Sequence, residues 1–117
     1  MYTIDDKTYP CCTSVTMKFI GGKWKAVILV HLMDGPKRYN ELRKLIPTIT
    51  ERTLSLQLKQ LEEDHVIDRK VYTEKPPLMV EYTLTGFGKT LSPVICEITK
   101  WGIEAAQTSK KIIRKTS

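Results

Sequence analysis

Apolar residues change their spacing along the chain, and those changes divide it into elements. From Thr50 to Asp64 (T-E-R-T-L-S-L-Q-L-K-Q-L-E-E-D), Leu54, Leu58 and Leu61 recur at i, i+4 and i+7, the spacing of one helical face. At about 100° per residue, the opposite face brings up Arg52, Leu56, Lys59 and Glu63, with Ser55 beside them. Thr50 is placed to cap this helix by accepting a bond from a free first-turn amide. Pro47 and Thr48 break the element before it. The spacing predicts a short helix anchored on one side, with cationic and small polar groups near the start of the other.

The remaining elements are read in order. Residues 1–10 are polar and closed by Pro10, an arm that is loose or docked on a partner. A weak helical pattern runs from Cys11 to Ile20 and stops at Gly21-Gly22. Lys23–Met33 is apolar on nearly every side and predicts a central buried helix, with Trp24, Ile28 and Leu32 in line. Asp34-Gly35-Pro36 is a turn, and Asn40 caps a short helix over Glu41–Ile46. Two short helices across a tight turn read as helix-turn-helix.

After His65 the period falls to two. Val66–Tyr72 and Met79–Leu84 predict strands, and Thr73–Pro77 a turn that continues neither, since its two prolines lack amide protons. A hairpin directly after a helix-turn-helix is the winged-helix arrangement. Thr85 caps a last helix running from Gly86 or Phe87 to about Trp101, with Leu91, Val94 or Ile95, Ile98 and Trp101 apolar. Pro93 kinks it or marks a late start. This is more apolar surface than a small core needs, which points to a subunit contact, most simply a two-fold dimer. Residues 103–117 form a basic tail, helical or disordered.

Charge sharpens this picture. The 117 residues carry a formal net charge of +6 and a pI near 9.3, a field that attracts polyanions. Nucleic acid leads, with an anionic membrane surface second. No apolar run is long enough to span a bilayer, and the N-terminus does not read as a secretory signal, so the expected compartment is the cytoplasm. Three cysteines, two adjacent, fit free thiols rather than a disulfide framework.

Several stretches together resemble the HxlR type of winged-helix transcriptional regulator, a relative of the MarR type. They are I-G-G-K-W-K (Ile20–Lys25), D-G-P-K-R-Y-N-E-L-R (Asp34–Arg43), I-T-E-R-T-L-S-L-Q-L-K-Q-L-E-E-D (Ile49–Asp64) and P-P-L-M-V-E-Y-T-L-T (Pro76–Thr85), followed by G-K-T-L and W-G. The resemblance covers about residues 11–102 and implies an α+β, mainly helical fold: a winged helix-turn-helix with added N- and C-terminal dimerisation helices. It also implies a homodimer on promoter DNA. In this family a cysteine, usually followed by proline, often precedes the I-G-G-K-W motif, and in some members it senses oxidants or electrophiles. Cys11 matches that position, with Cys12 where proline would stand; an inert thiol is the alternative reading.

On this frame Arg52, Ser55 and Lys59 are the expected base-reading residues, with Leu56 able to touch a thymine methyl. Thr50 and Thr53 reach phosphate at the helix start, and Lys37, Arg38 and Arg43 are further phosphate contacts. In the wing, Arg69, Lys70 and Lys75 are expected to be exposed, the tip meeting the minor groove or its phosphates. The bland alternative for each is a solvated basic face. For Cys11, Lys7 and Lys18 are the basic residues nearby in sequence. A Cys11–Cys12 bond would close a strained eight-membered ring, whereas a link from either to Cys96 of a second subunit would shift the spacing of the reading helices.

His31 reads as a core or interface residue and His65 as a turn; no Cys or His pair has metal-ligand spacing. With no nucleophile motif and no phosphate-cradling glycine loop, neither an enzyme nor a cofactor is expected. The expected partners are double-stranded DNA and a second copy of the chain, without a membrane, and an oxidant or electrophile as the candidate effector. The expected activity is that of a sequence-specific regulator, in the commoner case a repressor, on a near-palindromic operator. The alternative is a winged-helix module that docks an acidic protein instead of DNA.

Overall fold

A computed structural model describes residues 1–73, 75–77 and 79–115. Glu74 of the expected wing turn, Leu78 of the P-P-L-M-V stretch and residues 116–117 of the tail lie outside the described residues. The chain opens with β1 (Tyr2–Ile4) and β2 (Lys7–Tyr9), paired antiparallel with Tyr2 opposite Tyr9. The expected arm is therefore a hairpin. Its two-residue loop, Asp5-Asp6, has φ of 48° and 66°, the doubly left-handed geometry that matches the twist of tight hairpins. Aspartate tolerates that region better than most residues, which lets the loop close without glycine.

Helix α1 (Cys12–Ile20) follows and ends at Gly21, whose N–H bonds the Met17 carbonyl. Helix α2 spans Lys25–Leu32, two residues later than the pattern suggested, with Trp24 as its N-cap. Ile28, Leu29 and Leu32 are buried, but Val27 and Val30 are exposed, so this helix is central on one side only. The all-round apolar run overstated its burial because its outer valines are not covered within this chain.

Strand β3 (Lys37–Arg38) leads directly into α3 (Tyr39–Leu45). Asn40, the expected cap, is instead the second residue of the helix. Pairing of Lys37 and Arg38 with the distant strand β5 (Val80–Leu84) keeps the chain extended up to Arg38. The Glu41 carboxylate then accepts the Arg38 N–H at 2.9 Å and closes the first turn. Helix α4 (Glu51–Glu63) starts where the leucine spacing placed it, with Thr50 Oγ1 accepting the Thr53 N–H at 3.1 Å. The intervening turn is pinned by buried Ile46 and Ile49.

The wing is β4 (Ile67–Val71) against β5, in a sheet of order β3-β5-β4, all antiparallel. Thr73 closes the base of its loop: its hydroxyl donates to Pro77 O and accepts from Met79 N. His65, with φ of 59°, turns the chain out of α4 into this sheet. Thr85 then joins sheet and helices, donating to His65 O at 2.6 Å and accepting the Gly88 N–H at 2.8 Å. Gly88 lies so close to β4 that an added Cβ would stand 2.0 Å from Val66 O. Lys18 is ion-paired with Asp64, fastening α1 to the end of α4, and Phe19 meets Phe87 edge-on at 5.2 Å.

The last helix is two: α5 (Gly86–Lys89) and α6 (Ser92–Thr108). Pro93 sits in the first turn of α6 and marks a late start, where its missing N–H costs nothing. Helix α6 continues past Trp101 to Thr108, so the first six residues of the expected tail are helical. Of its apolar residues Ile95 and Ala105 are buried, whereas Val94, Ile98 and Trp101 are exposed.

Candidate nucleic-acid interface

The interface is built on α4. Leu54, Leu58 and Leu61 are 0–1% exposed and lock one side of the helix into the core. Arg52, Ser55, Leu56 and Lys59 all lie exposed on the other side, as their spacing requires. Neither Arg52 nor Lys59 has an ion-pair partner among the described residues, so both cations are available to a ligand. The free amides of the first turn and the positive end of the helix dipole add to the same pole.

Around this face the expected contacts sort into three groups. Lys37 and Arg38 lie on β3, where the Lys37 ammonium reaches back to Gly35 O at 3.4 Å and Arg38 is exposed. Arg43 does not stand free: its guanidinium donates to Glu51 Oε1 at 2.6 Å, clamping α3 to α4. Thr50 is occupied as the cap, and its hydroxyl also bonds Thr53 Oγ1 at 2.9 Å. These two threonines shape the helix start, and the hydroxyls face each other more than they face outward.

The wing residues divide by strand alternation. Arg69 is opposite Tyr82 and shares the side of buried Ile67 and Leu84, whereas Lys70 is opposite Glu81 on the outer side. Both are exposed, yet they point to opposite faces and do not meet one phosphate together. Arg38 also pairs with Glu81, so Arg38 and Lys70 flank that carboxylate on the outer face. Tyr72 joins them, its hydroxyl pushed up from the ordinary phenol range by the hydrogen bond it donates to the Glu81 carboxylate, then by desolvation and by that charge. Lys75 is exposed in the loop.

Two residues not singled out from the sequence organise the turn. Tyr39 Oη donates to Glu51 O at 3.0 Å, and Ser55 Oγ donates to Tyr39 Oη at 3.3 Å. Glu51 thus receives Arg43 on its side chain and Tyr39 on its carbonyl. The signal available in the sequence was only their spacing across Pro47.

Cys11 stands apart from this surface. It is the exposed N-cap residue of α1. Its thiol is held below the ordinary range, first by the Ser14 backbone N–H and then by the Ser14 side chain, because first-turn donors favour the thiolate. Helix amides supply this effect rather than a lysine, and Lys18 is committed to Asp64. A lowered pKa means that thiolate appears at lower pH in the folded chain than in the unfolded one. In a Cys12→Ser/Cys96→Ser variant, the half-maximal rate of iodoacetamide alkylation is therefore expected at lower pH in buffer than in urea. Coinciding midpoints would show that the cap does not activate Cys11. The adjacent Cys12 Sγ lies 3.0 Å from Tyr2 Oη, joining the N-terminal hairpin to α1.

Known proteins share this arrangement. The profile of the HxlR-like helix-turn-helix family matches residues 19–110. The HTH-type transcriptional regulator YdeP of Bacillus subtilis (strain 168) is 56% identical over 92 residues, covering 79% of this chain and 71% of that protein. YybR, from the same organism and of the same type, is 48% identical over 92 residues, covering 79% and 73%. Among solved structures, the redox regulator HypR in its oxidised form is similar at 42% identity and a TM-score of 0.76, covering 91% of this chain and all of that one. Reduced YodB from B. subtilis, a transcriptional regulator, is similar at 34% identity and a TM-score of 0.68, covering 88% and 98%. Cys11 precedes the span matched by the family profile.

Proposed function

This chain belongs to the HxlR-like helix-turn-helix family of transcriptional regulators, and we propose that it acts as a two-fold dimer reading a near-palindromic operator. The family and its relatives are regulators, not enzymes. One observation carries the reading: a helix whose leucines are wholly buried presents unpaired Arg52 and Lys59, with Ser55 and Leu56, on its open side. Such a rod fits the major groove, where arginine and lysine address guanine edges and Leu56 a thymine methyl. Lys37, Arg38 and Thr53, whose own hydroxyl proton is uncommitted, reach the flanking phosphates, and Thr50 does so on giving up its bond to Thr53 Oγ1. Arg43 joins them on exchanging Glu51 for phosphate. Arg69, Lys70 and Lys75 carry the wing along the backbone or into the adjacent minor groove.

The dimer is formed by the uncovered side of α6. Val94, Ile98 and Trp101 follow one another at helical spacing, and Trp101 is 70% exposed. An isologous contact of this side with its copy buries all three and sets the distance between the two reading helices. Repression follows where the operator overlaps a promoter, since bound dimer excludes the polymerase. Among the described residues no helix is long and apolar enough to cross a membrane, and the regulator acts in the cytoplasm, where its DNA lies.

Cys11 is the proposed point at which an oxidant or electrophile is detected, on the strength of its exposure and its stabilised thiolate. HypR is described as a redox regulator, and YodB has been solved diamide-treated and quinone-bound.

A gel-shift titration with duplex from upstream of the chain's own gene tests the function. Affinity is expected to fall steeply with salt, because each neutralised phosphate releases counterions, with a logarithmic slope of about 0.9 per contact. Binding that is absent at low salt, or that does not respond to salt, contradicts the proposal.

A further inference from the structure

We infer that Tyr39 fixes the hydrogen-bonding sense of Ser55, so that this serine presents only acceptor lone pairs to DNA. The inference rests on the proposal that α4 reads the major groove. It starts from a chain of bonds whose direction is forced. Glu51 O is a carbonyl and can only accept, so the Tyr39 hydroxyl proton is committed to it across 3.0 Å. The tyrosine oxygen is then an acceptor, and the bond of 3.3 Å to Ser55 Oγ is supplied by the serine proton.

Ser55 has few other places to put that proton. The usual inward acceptor for a helical serine is the carbonyl four residues earlier, which here is Glu51 O. That oxygen already receives the Ser55 amide, as in any α-helix, together with the Tyr39 hydroxyl, so both lone pairs are filled. The serine proton therefore stays on Tyr39, and the exposed side of Ser55 Oγ carries lone pairs alone.

An acceptor aimed into the major groove selects bases that offer an amino group on the contacted strand. Those are adenine through N6 and cytosine through N4, whereas guanine and thymine offer acceptors there. A free serine hydroxyl suits either set. Tyr39 touches no base in this scheme. It is a positioning residue that turns a neutral hydroxyl into a reader of one sense.

Selection of bound duplexes from a random pool, for wild type, Tyr39→Phe and Ser55→Ala, tests this. Wild type is expected to favour A or C over G or T by between about twofold and tenfold at one position per half-site, the scale of one hydrogen bond. Ser55→Ala, at an exposed site, is expected to erase preference at that position and leave the others. Tyr39→Phe removes the acceptor that fixes the serine proton, which then divides between the lone pair vacated on Glu51 O and the groove, so G or T there is expected within about twofold of A or C. An unchanged preference in Tyr39→Phe, a wild-type preference for G or T, or no position responding to Ser55→Ala overturns the inference. If wild type recovers no common sequence at all, the underlying proposal of sequence reading falls, and the inference with it.

Discussion

Arg52→Ala is expected to weaken binding to the selected operator between about fivefold and a hundredfold, the range for losing one good base contact. Its affinity for a scrambled duplex should fall about threefold or less, because only a general phosphate attraction is lost there. The side chain is exposed and makes no ion pair among the described residues, so folding stability should change by about 0.5 kcal/mol or less. Lys75→Ala, in the wing loop, should instead weaken both duplexes alike and flatten the salt dependence. Parallel titrations of both variants on both duplexes separate the two roles. Equal losses on operator and scrambled DNA for Arg52→Ala would remove it as a base reader.

Placing aspartates at Ile98 and Trp101 should have the larger effect. These side chains are 45% and 70% exposed within one chain, so neither contributes much to its core. Burying two carboxylates against their copies at a two-fold contact is prohibitive, because desolvated like charges face each other. The Ile98→Asp/Trp101→Asp variant should sediment as a folded monomer. A monomer holds one half-site at a time, so operator affinity should fall by about two orders of magnitude or more through lost avidity. A variant that still sediments as a dimer would place the subunit contact elsewhere. Retained affinity in a true monomer would show that the operator is read singly.

What the sequence could express, and what it could not, follows the range of the interactions. The α4 stripe was legible because Leu54, Leu58 and Leu61 are local neighbours on one turn-spaced face, and Thr50 caps within three residues. The wing was legible because its period changes and its prolines interrupt. Strand β3 was not, since two residues become a strand only by pairing with β5 more than forty residues later. That pairing also moved the start of α3 from Glu41 back to Tyr39, and its cap from Asn40 to Arg38. The N-terminal hairpin was hidden because Asp5-Asp6 lacks the glycine or asparagine that usually marks such a loop.

The site shows the same division. Periodicity placed Arg52, Ser55, Leu56 and Lys59 on one exposed face, but it does not report partners. The Arg43–Glu51 clamp and the Tyr39–Ser55 bond cross from α3 to α4, so they arise only once the turn is folded. In the wing, alternation should have set Arg69 and Lys70 on opposite faces, and both are exposed only because β4 projects beyond the core after Ile67. For α6, the apolar spacing was read correctly, yet it marks a surface left open by this chain more than a core face.

Methylation interference on the selected operator tests most directly whether α4 enters the major groove twice. Guanines methylated at N7, an atom that lies in that groove, should block binding in two clusters about one helical turn apart, near 10 base pairs, or a multiple of it. Interference confined to adenine N3 in the minor groove, or a single cluster with the intact dimer bound, would contradict the account.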